Sequence, residues 1–141
     1  TLGEPGEGEG QFVEPGSIAI DSADRIYVQD GERGKILLFG ADGMFIREFG
    51  ESGDGPDQFA GDIEALAIDA FDRLYVVDQD GHFIKVFDKD GNFLTNLSSE
   101  GSEPGQLDKP QGIAIDLARG YMIVSEENNN RVQVFNLADL K

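Results

Sequence analysis

Three aspartates, Asp21, Asp69 and Asp116, recur at intervals of 48 and 47 residues. Carboxylates gathered onto one ring could hold a cation or exchange protons. A second acidic set, Asp30, Asp78 and Glu126, follows them in step. A residue found in every copy of a repeat, however, ordinarily serves the repeat. The first set is expected to close hairpins as Asx-type turns, because a short carboxylate accepts from nearby backbone amides. The second set is expected to cap the backbone of the loop that follows it.

Other residues invite sharper chemistry and fall short of it. Asp88-Lys89-Asp90-Gly91-Asn92 matches the opening of a calcium loop, but the position that needs a bidentate Glu is Ser99. A hairpin turn with Gly91 in the left-handed region accounts for the same residues. Weak Ca²⁺ binding by the acidic surface stays open, and no cofactor is expected. His82 is the single histidine, so a histidine-based zinc centre is not expected. A Ser-His-Asp triad would need a serine on a nucleophile elbow. Ser17, Ser22, Ser52, Ser98, Ser99, Ser102 and Ser125 have no such setting. The glycine-rich stretches Gly3 to Gly10 and Gly50 to Gly55 lack a strand–glycine–helix context. Glu4, Glu7, Glu9, Glu51 and Asp54 would repel phosphate there. They read as connections between units.

The charge balance bounds the partners. With 28 acidic and 11 basic residues the net charge is −17, which opposes nucleic acid and anionic membrane surfaces. The same acidity fits solvation in a salt-adapted organism. Without cysteine there is no disulfide or thiolate metal site. No apolar run reaches the roughly 18 residues of a membrane span, so no membrane insertion is expected. The start at Thr1 without Met points to processing, trimming or a longer protein. An extracellular or cell-surface setting is favoured.

The elements that must position these residues follow from the repeat. Gln11-Phe12, Gln58-Phe59 and Gln106-Leu107 each lead into an apolar-Ala-Ile-Asp tetrad ending at Asp21, Asp69 or Asp116. A fixed period of this size means one supersecondary unit copied and stacked. In the first copy Ser17 to Ile20 suits a strand buried on both faces. Arg25 to Gln29, Lys35 to Phe39 and Met44 to Phe49 follow as strands, separated by Asp- and Gly-rich turns. The second copy repeats them at Ile63 to Ile68, Arg73 to Val77, Phe83 to Phe87 and Asn92 to Leu97. The third offers Gly112 to Ile115, Tyr121 to Ser125 and Arg131 to Phe135, and reads as incomplete, with Asn136 to Lys141 where a turn and fourth strand are expected. Gly3 to Gly10 reads as irregular, and almost no helix is expected. Four short antiparallel strands per period form a propeller blade. Ala19, Ala67 and Ala114 suit a crowded innermost strand. Phe39, Phe87 and Phe135 suit the gaps between splaying blades. The chain is thus read as all-β, one propeller fragment with approximate blades at 10–50, 58–98 and 106–141.

The same residues resemble a known family. Gln-Phe, Pro-Gly or Pro-Gln-Gly, Ile-Ala-Ile-Asp, Ile-Tyr-Val with an acid after it, Asn130-Arg131-Val132-Gln133-Val134-Phe135 and Asp-Gly-x-Phe are similar to NHL repeats. The second copy departs, with Ala60-Gly61-Asp62-Ile63 for the proline step and His82-Phe83 for Asn-Arg. The resemblance implies a β-propeller, usually of six blades. Three blades cannot close a ring, so self-association or further blades are expected to cover the apolar end faces. Amidating lyases of the wider propeller group use histidine ligands that this chain lacks.

What varies between copies is free to carry function. In the loops between second and third strands the varying residues are Glu32, Arg33, Gln79, Asp80, His82, Glu127, Asn128 and Asn129. They are expected on one rim as a binding surface. The function expected is a non-catalytic module that binds protein or glycan and assembles through its blade faces, not an enzyme. The alternative is part of a six-bladed hydrolase or lactonase with a central metal.

Overall fold

The computed structural model describes residues 1–140. Two short strands, β1 (Glu4–Pro5) and β2 (Gln11–Phe12), pair in parallel. The first large sheet runs β3 (Pro15–Ile20), β4 (Ile26–Asp30), β5 (Lys35–Phe39) and β6 (Phe45–Phe49), in that spatial order. The second runs β7 (Ile63–Ile68), β8 (Leu74–Asp78), β9 (Phe83–Phe87) and β10 (Phe93–Leu97). The third holds β11 (Pro110–Asp116), β12 (Tyr121–Glu126) and β13 (Arg131–Asn136), followed by a one-turn 3-10 helix at Leu137–Asp139. All pairings within these sheets are antiparallel. The all-β, propeller-blade reading stands.

The first hairpin of each sheet is closed by its aspartate, as expected. Asp69 Oδ1 accepts from the Phe71 and Arg73 amides at 2.9 and 3.0 Å. Its Oδ2 accepts from Arg73 Nε at 2.6 Å and from the Tyr75 hydroxyl at 2.9 Å. Asp21 makes the same set with Ala23, Arg25 and Tyr27. Asp116 keeps only the Ala118 and Arg119 contacts.

The recurrent Gln-Phe step has an equally local cause. Gln11, Gln58 and Gln106 turn their side-chain carbonyls back onto the amides of Gly8, Gly55 and Glu103, at 2.8, 2.9 and 3.0 Å. The amides of Gly6, Gly53 and Gly101 donate to the carbonyls of Phe12, Phe59 and Leu107. Each connection therefore folds on itself, and the second and third deliver Phe59 and Leu107, both fully buried, between sheets. The stretch expected to be irregular, Gly3 to Gly10, carries β1, which pairs in parallel with β2 just beyond it.

Two cores lie between sheets. Tyr27, Ile36, Leu38 and Phe49 of the first sheet meet Leu66, Leu74, Val76 and Phe87 of the second around Phe59. Tyr75, Ile84 and Val86 of the second meet Met122 and Val124 of the third around Leu107. A third, smaller core covers Val28, Leu37 and Phe39 with Leu2 and Phe12. The phenylalanine expectation holds in the middle: Phe87 lies 5.3, 6.0 and 5.8 Å from the rings of Phe49, Phe59 and Phe93. Phe39 meets Phe12 and Phe45 at 5.7 and 5.9 Å, and Leu2 occupies the place of Phe49.

One expectation is corrected. The inner strand of the first sheet is not buried on both faces, because Ile18 and Ile20 are 60% and 58% exposed. They lie on the outer face of the first sheet, where among the described residues no four-stranded sheet packs. At the other end Val132 and Val134, each 62% exposed, occupy the places where Ile36 and Leu38 are buried in the first sheet.

Candidate functional site

The loops Asp30 to Lys35, Asp78 to Phe83 and Glu126 to Arg131 join second to third strands and lie at one end of their sheets. Their acids do not chiefly cap the loop that follows, as expected, but the connection that arrives earlier in the chain. Asp30 accepts from the Val13 and Glu14 amides at 2.8 and 3.0 Å. Asp78 accepts from the Ala60 amide at 3.0 Å and, in its own loop, from Gly81 at 3.2 Å. Glu126 accepts from the Asp108 amide at 3.0 Å. Burial works against the charge of Glu126, but donors from Arg131, Asn129, the Asp108 amide and Gln133 hold its carboxyl below the usual range. At Asp78 burial prevails over the Ala60 and Gly81 amides and Lys85, and the carboxyl is raised.

A cation braces each arriving connection. Arg33 donates to the Gln11 carbonyl at 3.0 Å and pairs with Glu48. Arg131 donates to the Ser102, Glu103 and Gln106 carbonyls and to Glu126. In the second sheet the task falls to Lys85, 2% exposed, on the strand itself. Its Nζ donates to the Pro56 carbonyl at 3.0 Å and Asn96 Oδ1 at 3.2 Å, and stands 4.0 Å from Asp78. Desolvation lowers the lysine's affinity for its proton against the pull of Asp78 and Asp57. The same strand position is Leu37 in the first copy and Gln133 in the third, so comparison of the copies would have singled out Lys85.

A cleft of about 510 Å³ opens at this end of the second sheet. Its walls include Asp54, Gln58, Asp80, His82, Lys85 and Glu100. His82 occupies the left-handed position that Gly34 and Asn130 take in the other copies, with φ of 59°. It is more than a solvated loop residue. Its Nδ1 accepts from the Lys109 amide at 3.1 Å and lies 3.2 Å from Asp108, while Nε2 lies 3.8 Å from Glu100. With Nδ1 engaged as an acceptor, the neutral ring carries its proton on Nε2.

The rim residues are thus partly brought together. Asp80 and His82 line the cleft, and the Gln79 carbonyl receives the His82 amide. The Lys109 carbonyl receives the Glu127 amide, so the third loop adjoins His82. Glu127 also accepts from Gln111, Asn128 donates to Asp108, and Asn129 donates to the Gly101 carbonyl and Glu126. Glu32 and Arg33 stand apart from the cleft: Glu32 is exposed and Arg33 is spent on its own connection. Sequence reasoning missed Lys85, Asn96 and Glu100. Among the described residues no group of three or more His, Cys, Asp or Glu is placed to hold a metal. Nor is any helix among them long and apolar enough to cross a membrane.

Comparison with known proteins places this geometry. The sequence profile of the DUF5128 family, described as 6-bladed beta-propeller, matches residues 9–81 and 60–141. A solved streptogramin B lyase superposes with a TM-score of 0.66 at 19% identity, covering 88% of this chain and 38% of that one. A catalytically inactive virginiamycin B lyase from Staphylococcus aureus with Quinupristin gives 0.62 at 15% identity, covering 88% and 41%. A calcium-binding protein, regucalcin, from Agrobacterium tumefaciens gives 0.60 at 15% identity, covering 82% and 38%. Protein brain tumor of Drosophila melanogaster is 40% identical over 52 residues, 37% of this chain and 5% of that protein. The chain therefore spans well under half the length of the proteins it matches. Two expectations are overturned, that of a non-catalytic module and that of no enzymatic role. The solved structures sharing this architecture include lyases, so the architecture is one that carries catalysis. At these identities the likeness establishes the fold alone.

Proposed function

The chain belongs to the DUF5128 family of 6-bladed beta-propellers, and on that premise we propose that its sheets are blades of a propeller enzyme of the lyase kind. The observation that carries this reading is His82. It breaks the repeat by standing at the left-handed position that Gly34 and Asn130 hold in the other copies, and it faces a cleft. Elimination needs a group to take a proton from carbon and another to protonate the leaving atom. His82, with Nδ1 fixed by the Lys109 amide, presents Nε2–H as the hydrogen-bond donor that stabilises charge on the leaving atom while water supplies its proton. Glu100, across 3.8 Å, is the acceptor. Lys85 and Asp78 form the floor, and the buried ammonium favours negative charge developing above it. Asp80 contributes to binding at the mouth.

Quinupristin, present with one of the similar lyases, is the probe at hand. The protein is incubated with it and loss of the parent compound is followed by chromatography. Loss that falls at least about a hundredfold in His82→Gln is expected for removal of the imidazole donor. Intact quinupristin in the presence of folded protein, or turnover undiminished in His82→Gln, would overturn the reading.

The finer family reading, that these are NHL-type repeats, is supported by Asn130 to Phe135 and by the recurrent Gln-Phe and Ile-Ala-Ile-Asp steps. The apolar end faces, Ile18 and Ile20 on one side and Val132 and Val134 on the other, support covering by further blades. Those blades come from the same protein or from a second copy.

A further inference from the structure

The opposite end of the second and third sheets breaks the repeat as clearly as the cleft does. Between the first and second sheets that end is zipped shut. Ser22 donates from its amide and its hydroxyl to Asp72 at 2.9 and 2.6 Å. Arg25 donates through Nη1 to Asp90 at 3.2 Å and through Nη2 to the Lys89 carbonyl at 2.9 Å and Tyr27 Oη at 3.0 Å.

One period on, every member of that zipper is changed except the arginine and tyrosine. Ala70 stands for Ser22, Arg119 for Asp72, Leu137 for Lys89 and Ala138 for Asp90. Tyr75 turns its hydroxyl to Asp69. Arg73 keeps its Nε bond to Asp69, but among the described residues its Nη groups meet no acceptor. A cavity of about 200 Å³ occupies the place of the lost bonds. Its apolar lining includes Phe71, Ile115, Leu117 and Leu137, and Arg119 stands at its edge. Phe71 and Leu117 are 80% and 60% exposed, and the other copies have alanine or serine where they stand. The Arg73 guanidinium lies 5.5 Å from the centroid of the Phe71 ring.

We propose that this junction binds a small carboxylate with an aryl or branched apolar body. The body enters between Phe71 and Leu117, and the carboxylate takes the two Nη groups of Arg73 that in the first junction are spent on Asp90 and the Lys89 carbonyl. Arg119, bonded through Nη1 to Asp116 at 2.8 Å, has its remaining donors for the second oxygen. Two of the six arginines of a chain with net charge −17 are thereby concentrated at one apolar pocket. An amine of the same shape finds no comparable partner, since the Asp69 carboxylate already accepts four donors and that of Asp116 three.

The test is binding of 3-phenylpropionate, 3-phenylpropanol and 3-phenylpropylamine, measured by amide chemical-shift titration. The carboxylate should bind, shift the amides of residues 70–73 and 117–120, and weaken with salt. Its affinity should exceed that of the alcohol by about tenfold, the worth of one charge-assisted hydrogen bond. Arg73→Gln and Phe71→Ala should each lose it. Because Arg73 also holds Asp69, Arg119→Gln on the exposed side chain serves as a second variant, its fold checked by the amide spectrum, and it should weaken the carboxylate alone. Equal binding of all three compounds, or affinity for the carboxylate unchanged in Arg73→Gln and Arg119→Gln, would overturn the proposal, as would no binding. His82→Gln lies at the other end of the sheets and should leave this binding intact, which separates it from the proposed catalytic site.

Discussion

The middle interface offers the cleanest test of how the sheets hold together, by replacing Phe87 there and, for comparison, Phe39 of the smaller outer core with leucine. Both are 2% exposed and both end a third strand. Leucine keeps most of the apolar bulk, so the transfer and cavity loss is about 1 kcal/mol at either site. The rings differ in their company. Phe87 has three ring neighbours, Phe49, Phe59 and Phe93, and Phe39 has two, because Leu2 stands where the third would be. With each pair contributing about 1 kcal/mol beyond area, Phe87→Leu should cost about 4 kcal/mol and Phe39→Leu about 3 kcal/mol. Urea unfolding followed by far-UV circular dichroism reads the difference. With a slope of about 2 kcal/mol/M the two midpoints should separate by about 0.5 M. Equal midpoints, or a greater loss at Phe39, would refute the view that ring pairs across the interface set its strength.

Other outcomes follow from contrasts between copies. Asp69→Asn removes a buried carboxylate with four donors and should cost about 2–3 kcal/mol, while Asp116→Asn, in the copy with fewer donors, should cost clearly less in the same assay. Gly105→Ala should cost about 1–2 kcal/mol, from its φ of 87° alone. Gly91→Ala, with φ of 88° and a β-carbon 2.5 Å from Phe49 Cδ1, should cost about 2 kcal/mol more in thermal melts. The Glu126 carboxyl is held below its usual range in the folded chain, so its contribution is present above about pH 4.3 and fades as pH falls through the lowered value. The melting gap between the parent chain and Glu126→Gln should therefore be widest near neutrality and close on acidification; a gap that widens in acid would refute that assignment.

Much of the scaffold is legible because each copy restates it. The tetrads ending at Asp21, Asp69 and Asp116 mark the first hairpins, and the aspartates do there what short carboxylates do locally. The exposure of Ile18 and Ile20 was not legible, since a strand's pattern is the same whether or not another sheet lies over it. The partners of Asp30 and Glu126 were missed for a related reason: Val13 and Asp108 precede them by a whole hairpin. Of the candidate site, variation between copies pointed to Asp80 and His82. It could equally have pointed to Lys85, opposite Leu37 and Gln133, had strands been compared as closely as loops. The Lys109 amide that fixes the His82 ring comes from the next period, and no residue near His82 announces it.

The self-folded connections, with Gln58 and its counterparts turned back on their own loops, have a consequence for how the chain acquires its structure. Every strand pairing joins neighbours in the chain, and the widest side-chain hydrogen bond, Arg25 to Asp90, spans 65 residues. Loop-closure entropy is therefore low at each step. A sheet can form as soon as its own meander has left the ribosome, its connection already shaped to receive the next, and each new sheet condenses on the one before it. Order of synthesis then becomes order of folding, and each later sheet settles against one that is already formed.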